Sequence, residues 1–122
     1  MRPGSGGSGV ASVQRGGAVD HAALAADGVL VVEVEAADEP LASLAAALRF
    51  PPWFGGNLDA LEECLRDLPR LLPARGWVVV ARGQPHPGWG AIAELWPAAA
   101  AHHGARTLRL VFTDPAPRGR CR

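Results

Sequence analysis

The sequence predicts an α/β domain: a small three-stranded parallel sheet packed by helices. Short β-branched runs recur at Val29–Val34 (VLVVEV), Trp77–Ala81 (WVVVA) and Thr107–Phe112 (TLRLVF). Between them lie stretches whose apolar residues step by three and four, which is the helical period. Parallel neighbours need a crossover, and helices between buried strands supply it.

The elements follow in order. Residues 1–18 are Gly/Ser-rich and read as a flexible lead-in to a domain over 19–114, with an Arg-rich tail at 115–122. VDHAALAAD, residues 19–27, suits a short helical turn stopped by Gly28. Val29–Val34 is nearly continuous in apolar residues, which predicts a strand buried on both faces. Asp38–Arg49 reads as a helix capped by Asp38, with Pro40 early and Leu41, Leu44 and Leu48 as its stripe. Phe50–Gly56 is a loop, in which Pro51 and Pro52 fix φ and Gly55-Gly56 permits positive φ. Asn57 is a good N-cap for a second helix over Leu58–Leu68, striped by Leu58, Leu61, Leu65 and Leu68 and ended near Pro69. After the Trp77–Ala81 strand and the loop RGQPHPGWG, Ala91–His103 predicts a third helix, kinked or broken at Pro97 and stopped by Gly104.

The totals narrow the function. A chain of 122 residues fits one domain. Its formal net charge is zero, unlike the basic surface that general nucleic-acid binding requires. The charge is segregated all the same. Glu33, Glu35, Asp38, Glu39, Asp59, Glu62 and Glu63 face only Arg49 in their stretch, while Arg118, Arg120 and Arg122 follow the last acid. Cys64 and Cys121 do not make a disulfide framework, and no leader or membrane-spanning run is visible. These features predict a cytoplasmic protein with reduced thiols.

Three kinds of chemistry are open to these residues. Cys64 with His86, His102 or His103 would be a thiol–imidazole pair, but Cys64 falls mid-helix beside the apolar stripe, where packing is the simpler role. No nucleophile elbow, phosphate loop or dinucleotide fingerprint accompanies it, so no enzyme activity is expected. Adjacent His102 and His103 point apart on a helix, and His86 and Cys121 add no ligand spacing, so neither metal nor cofactor is expected. Asp59 and Glu63 are the third possibility. They lie i, i+4 on one helix face and repel. Glu62 has Arg66 at i+4, whereas Glu63 has only Arg66 at i+3 and Asp59 has no basic residue at either spacing. Two readings stand: ordinary acids favoured near a helix N-terminus, or an acidic binding face beside exposed Trp53 and Phe54, of which Phe54 is expected to tuck inward.

The stretch Trp53-Phe54-Gly55-Gly56-Asn57-Leu58-Asp59-Ala60-Leu61-Glu62-Glu63-Cys64-Leu65 resembles the barstar family signature. That signature is two aromatics, Gly, any residue, Asn, an apolar residue, Asp-Ala-Leu, a variable residue, an acid, Cys and Leu. The likeness covers Val29 to Phe112. It implies a barstar-like fold and a protein that inhibits a ribonuclease or nuclease toxin, acting as toxin immunity for the producing cell. The second helix and the loop before it would plug the enzyme's active site. Trp53, Phe54, Gly55, Asn57, Asp59, Glu62 and Glu63 are the implied partner-binding residues, with Glu63 the main phosphate mimic and Asp59 its companion. The implied partner is a basic, extracellular-type ribonuclease or nuclease toxin. Direct nucleic-acid or membrane binding is not expected, and the free protein is expected to be a monomer. The alternative is a barstar-fold interaction module without inhibitory activity.

This sequence departs from the family at several points. Glu63 stands where a shorter Asp is usual, Trp53 where Tyr is common, and Glu62 where Trp is frequent. The best-known member carries acids near the end of its third helix; here AAAAHHG has none, and the nearest acid is Glu94.

Overall fold

The computed structural model describes residues 12–16 and 19–113. Its elements are β1 (Val13–Arg15), α1 (His21–Ala26), β2 (Val29–Glu35), α2 (Pro40–Ala47), α3 (Leu58–Arg66), α4 (Leu68–Leu71), β3 (Gly76–Arg82), α5 (Trp89–His102) and β4 (Thr107–Thr113). The strands form one sheet in the order β1-β4-β3-β2, and each neighbouring pair is parallel.

The sheet thus has four strands where the sequence predicts three. The additional strand, β1, falls inside the stretch expected to be a flexible lead-in. Its three residues are too few to show a period, and its pairing with β4 is a tertiary event. The Leu110 N–H donates to Ser12 at 2.8 Å, the Gly16 N–H donates to Phe112 at 2.7 Å, and the Arg15 guanidinium lies 4.7 Å above the Phe112 ring. Residues 1–11 and 17–18 of the expected lead-in, residue 114 and the expected tail at 115–122 lie outside the described residues.

Strict alternation in the central strands creates two apolar layers. Trp77, Val79 and Ala81 of β3 and Leu108, Leu110 and Phe112 of β4 face the main core. There they meet Leu44 and Leu48 on the α2 side, Leu61 and Leu65 of α3, and Trp89, Ile92, Trp96 and Ala99 of α5. Val78, Val80 and Val111 point the other way, toward Val19 and Leu24. β3 is the strand buried on both faces. β2 is not, contrary to expectation: it ends the sheet, and within it only Val34 is buried. Its apolar run reflects packing on both sides of a half-covered edge.

Three buried indoles are all satisfied. Trp77 Nε1 donates to the Leu72 carbonyl at 2.7 Å, Trp89 Nε1 to Ala36 at 2.9 Å and Trp96 Nε1 to Leu108 at 3.2 Å. Gly76 allows β3 to lie close to β4, since a Cβ there would stand 2.9 Å from the Thr107 carbonyl oxygen.

Several helix ends differ from the sequence reading. α2 is capped by Glu39, not Asp38; its carboxylate accepts from the Leu41 and Ala42 amides at 3.0 and 2.9 Å. Pro40 explains this, because the residue before a proline is driven to extended backbone, and Glu39 takes φ −62 and ψ 121. α3 ends at Arg66, and Leu68–Leu71 forms a separate turn with Pro69 near its start. α5 begins at Trp89 and continues on both sides of Pro97 without a break. Gly104, at φ 62, follows its end as expected.

Candidate protein-binding site

The loop before α3 is built so that one aromatic anchors and the other is presented. α2 ends with Arg49 in the left-handed region at φ 58, and the Phe50 N–H donates back to Ala45 at 3.0 Å. The chain then turns over Pro51-Pro52-Trp53-Phe54, with the Phe54 N–H donating to the Pro51 carbonyl at 2.9 Å. Pro52 occupies the second position of that turn, where its fixed φ fits, and Trp53 takes the outer corner. Trp53 is 60% exposed. Phe54 turns inward: it is half-buried, with its ring 5.0 Å from that of Phe50.

Gly56, at φ 73, delivers the chain to Asn57. Asn57 caps α3 through its Oδ1, which accepts from the Ala60 N–H at 2.8 Å. Leu61, Cys64 and Leu65 are fully buried, while Leu58 is 39% exposed and does not anchor the helix as the stripe suggested. At about 100° per residue, Leu58 lies at the margin of the face those three define. Asp59 and Glu63 fall on the opposite side by the same geometry, and both are exposed.

The charges on this face are partly neutralised. Arg66 donates to Glu62 at 2.7 Å, and Arg70 pairs with Asp67. Among the described residues, neither Asp59 nor Glu63 enters a salt bridge. An open groove of about 390 Å³ runs beside them, lined by Trp53, Glu63, Arg66, Asp67 and His102. The structure therefore brings Trp53 and Glu63 to one groove and sets Asp59 one turn back along the helix. Gly55 and Asn57 shape the approach, and Glu62 is held by Arg66.

His102 and Asp67 were not anticipated at this groove. They reach it because α3 packs against α5. The nearby Cys64 thiol is pushed up first by burial, then by Asp67 and Glu63. Such a thiol stays protonated at neutral pH and is a poor nucleophile. Two of the histidines weighed as its partners are engaged elsewhere: His86 Nδ1 accepts from the Gly88 N–H at 2.9 Å, and His103 lies against the Leu65 carbonyl. Among the described residues, no three of His, Cys, Asp or Glu gather to hold a metal ion. No helix among them is long and apolar enough to cross a membrane.

A family model described as Barstar (barnase inhibitor) matches residues 29–109, more than half of the chain. The protein belongs to the barstar family. No curated protein and no solved structure matches the chain. The barstar match begins at β2 and ends inside β4, so it spans the acidic helix, the loop before it and the α5 wall of the groove. β1 and α1 lie before it.

Proposed function

We propose that this protein is a cytoplasmic inhibitor of a basic ribonuclease or nuclease toxin. In this reading it binds as an intact protein, performs no chemistry and protects the cell that makes it. The observation that carries it is the pair Asp59 and Glu63. Both are exposed and without salt bridges among the described residues, on the side of α3 away from the core and beside exposed Trp53.

A nuclease site holds cationic side chains arranged for phosphate. Carboxylates presented on a rigid helix can occupy that ground and accept charge-assisted hydrogen bonds. Leaving the two acids without cationic partners in the free protein favours this, because no internal ion pair has to break first. Their field also steers a basic partner toward the face. Trp53 adds contact area at little entropic cost, as aromatic anchors do. Glu63, placed on the groove, is the main phosphate mimic and Asp59 its companion. Phe54 and Asn57 support the face from behind, Gly55 shapes its rim, and Glu62 holds Arg66 aside.

The test is titration of the purified protein into RNA-cleavage assays with a panel of basic ribonucleases, including any encoded beside it. Stoichiometric loss of cleavage for at least one enzyme is expected. If none is inhibited, and capture from the producing cell returns a partner that is not a nuclease, the inhibitor reading is wrong.

A further inference from the structure

α5 ends on two adjacent histidines that meet different surroundings. His103 turns inward: its Nε2 lies 2.7 Å from the Leu65 carbonyl oxygen, and its ring centroid is 5.1 Å from that of Trp77. His102 is exposed and lines the groove that also holds Trp53, Glu63, Arg66 and Asp67. The two rings meet edge-on at 5.6 Å. The imidazole that borders the acidic face is therefore the one in contact with water.

Most of the charge in this groove is already matched. Arg66 donates to Glu62 at 2.7 Å, and Asp67 pairs with Arg70. Among the described residues Glu63 enters no ion pair, which makes it the uncompensated charge of the groove. Histidine is the side chain whose charge changes between about pH 5 and 8. A neutral His102 leaves the Glu63 charge standing, and a protonated one offsets it from the other wall. The loop contributes only the uncharged Trp53. Behind His102 lie His103 and Arg106, and an arginine keeps its charge throughout this range. Burial, opposed in part by the Leu65 hydrogen bond and reinforced by His102 and Arg106, holds the His103 pKa below its ordinary value. His102 is thus the histidine placed to change the charge of the groove.

We propose that His102 couples the acidic groove to pH: the neutral imidazole admits a cationic side chain of the partner to Glu63, and the imidazolium opposes it. This rests on the binding role of the face proposed above and adds its regulation. Two effects act in the same direction. The imidazolium repels a second cation placed beside Glu63, and it competes for that carboxylate as an ion-pair partner. In the free protein water screens both effects. A partner that closes over the groove removes that water and strengthens them. Binding and protonation are reciprocal, so a cation held in the groove makes His102 harder to protonate by the same factor. His102 acts on what occupies the groove and not on the fold, and it loosens the hold on a basic partner as pH falls.

The experiment uses the whole chain as wild type and as His102→Gln, which keeps a polar side chain that cannot titrate. The first probe is a hexa-arginine amide, followed by NMR at low salt. It should shift the Trp53 indole, Glu63 and His102 signals, and saturating peptide should lower the midpoint of the His102 titration. Between about pH 7.5 and about pH 5.5, the affinity of wild type divided by that of His102→Gln should fall about three- to fivefold, the scale of an exposed charge pair. The ratio cancels the titration of Asp59, Glu63 and His103, which both proteins share. The proposal is overturned if the peptide leaves the His102 midpoint unmoved, or if the ratio is the same at both pH values. The second probe is a susceptible ribonuclease, for which the same ratio of inhibition constants also cancels the enzyme's own titrating groups. A flat ratio there overturns the proposal and leaves the inhibitor reading standing. If no ribonuclease is inhibited and the peptide results hold, the inhibitor reading falls and the coupling of His102 to a bound cation stands.

Discussion

Arg66 bonds Glu62 at 2.7 Å and leaves Glu63 without an ion pair among the described residues, although Glu63 is only three positions away. This choice keeps one carboxylate of the face available. Glu62→Ala should release Arg66 toward Glu63 and weaken binding to a cationic partner by a few-fold, with a stability loss of about 0.3–0.5 kcal/mol for an exposed i, i+4 pair. Arg66→Ala should act oppositely on binding, raising the association rate at low salt. Stopped-flow association at two ionic strengths distinguishes them; equal rates for both variants would contradict the assignment.

Asn57 holds the start of α3 through a single 2.8 Å bond to the Ala60 amide. Asn57→Ala should cost about 1 kcal/mol in urea unfolding, and Asn57→Asp should cost much less because it keeps the acceptor. An Ala variant as stable as wild type would mean that the cap contributes nothing.

Leu58 and Leu61 look alike in the sequence pattern but not in burial, at 39% and 0% exposed. Leu61→Ala should destabilise by about 2–5 kcal/mol, the usual cost of truncating a core leucine. Leu58→Ala should cost under about 1 kcal/mol. Denaturation midpoints at constant slope decide this, and equal losses would restore Leu58 as an anchor.

His103 and Cys64 shape the pH dependence of stability from opposite sides. The His103 pKa is lowered in the fold, so as pH falls through the ordinary histidine range near about 6.5, the unfolded chain takes a proton the native state resists. Stability should fall there. The Cys64 pKa is raised, so as pH climbs through the ordinary thiol range the unfolded chain releases a proton the native state keeps, and stability should fall again. Thermal melts from pH 5 to 10 should show the acid limb flattened in His103→Gln and the alkaline limb flattened in Cys64→Ala. Unchanged limbs would mean that other groups carry the dependence.

Much of this architecture was legible because local chemistry and tertiary packing agree. The Asn57 cap, the buried WVVVA strand and the Gly104 stop follow from propensity and period alone. The misses at β1, β2 and the groove share a cause: each depends on a neighbour distant in sequence. β1 is a strand only because β4 offers an edge, and β2 is half-buried because no strand covers its far side. Leu58 lies off the face that Cys64 helps to define. The groove gains His102 through α5, which packs against α3. The Pro40 shift of the α2 cap from Asp38 to Glu39 was also within reach of local rules.

The central claim is that Glu63 acts as the anionic plug for a basic nuclease. The most direct measurement is inhibition of a susceptible ribonuclease by Glu63→Arg, alongside a circular-dichroism melt of the same variant. The account predicts an unaltered fold and a loss of inhibition of at least about a hundredfold, on the scale of a hot-spot charge reversal. A folded Glu63→Arg variant that inhibits as strongly as wild type would contradict it.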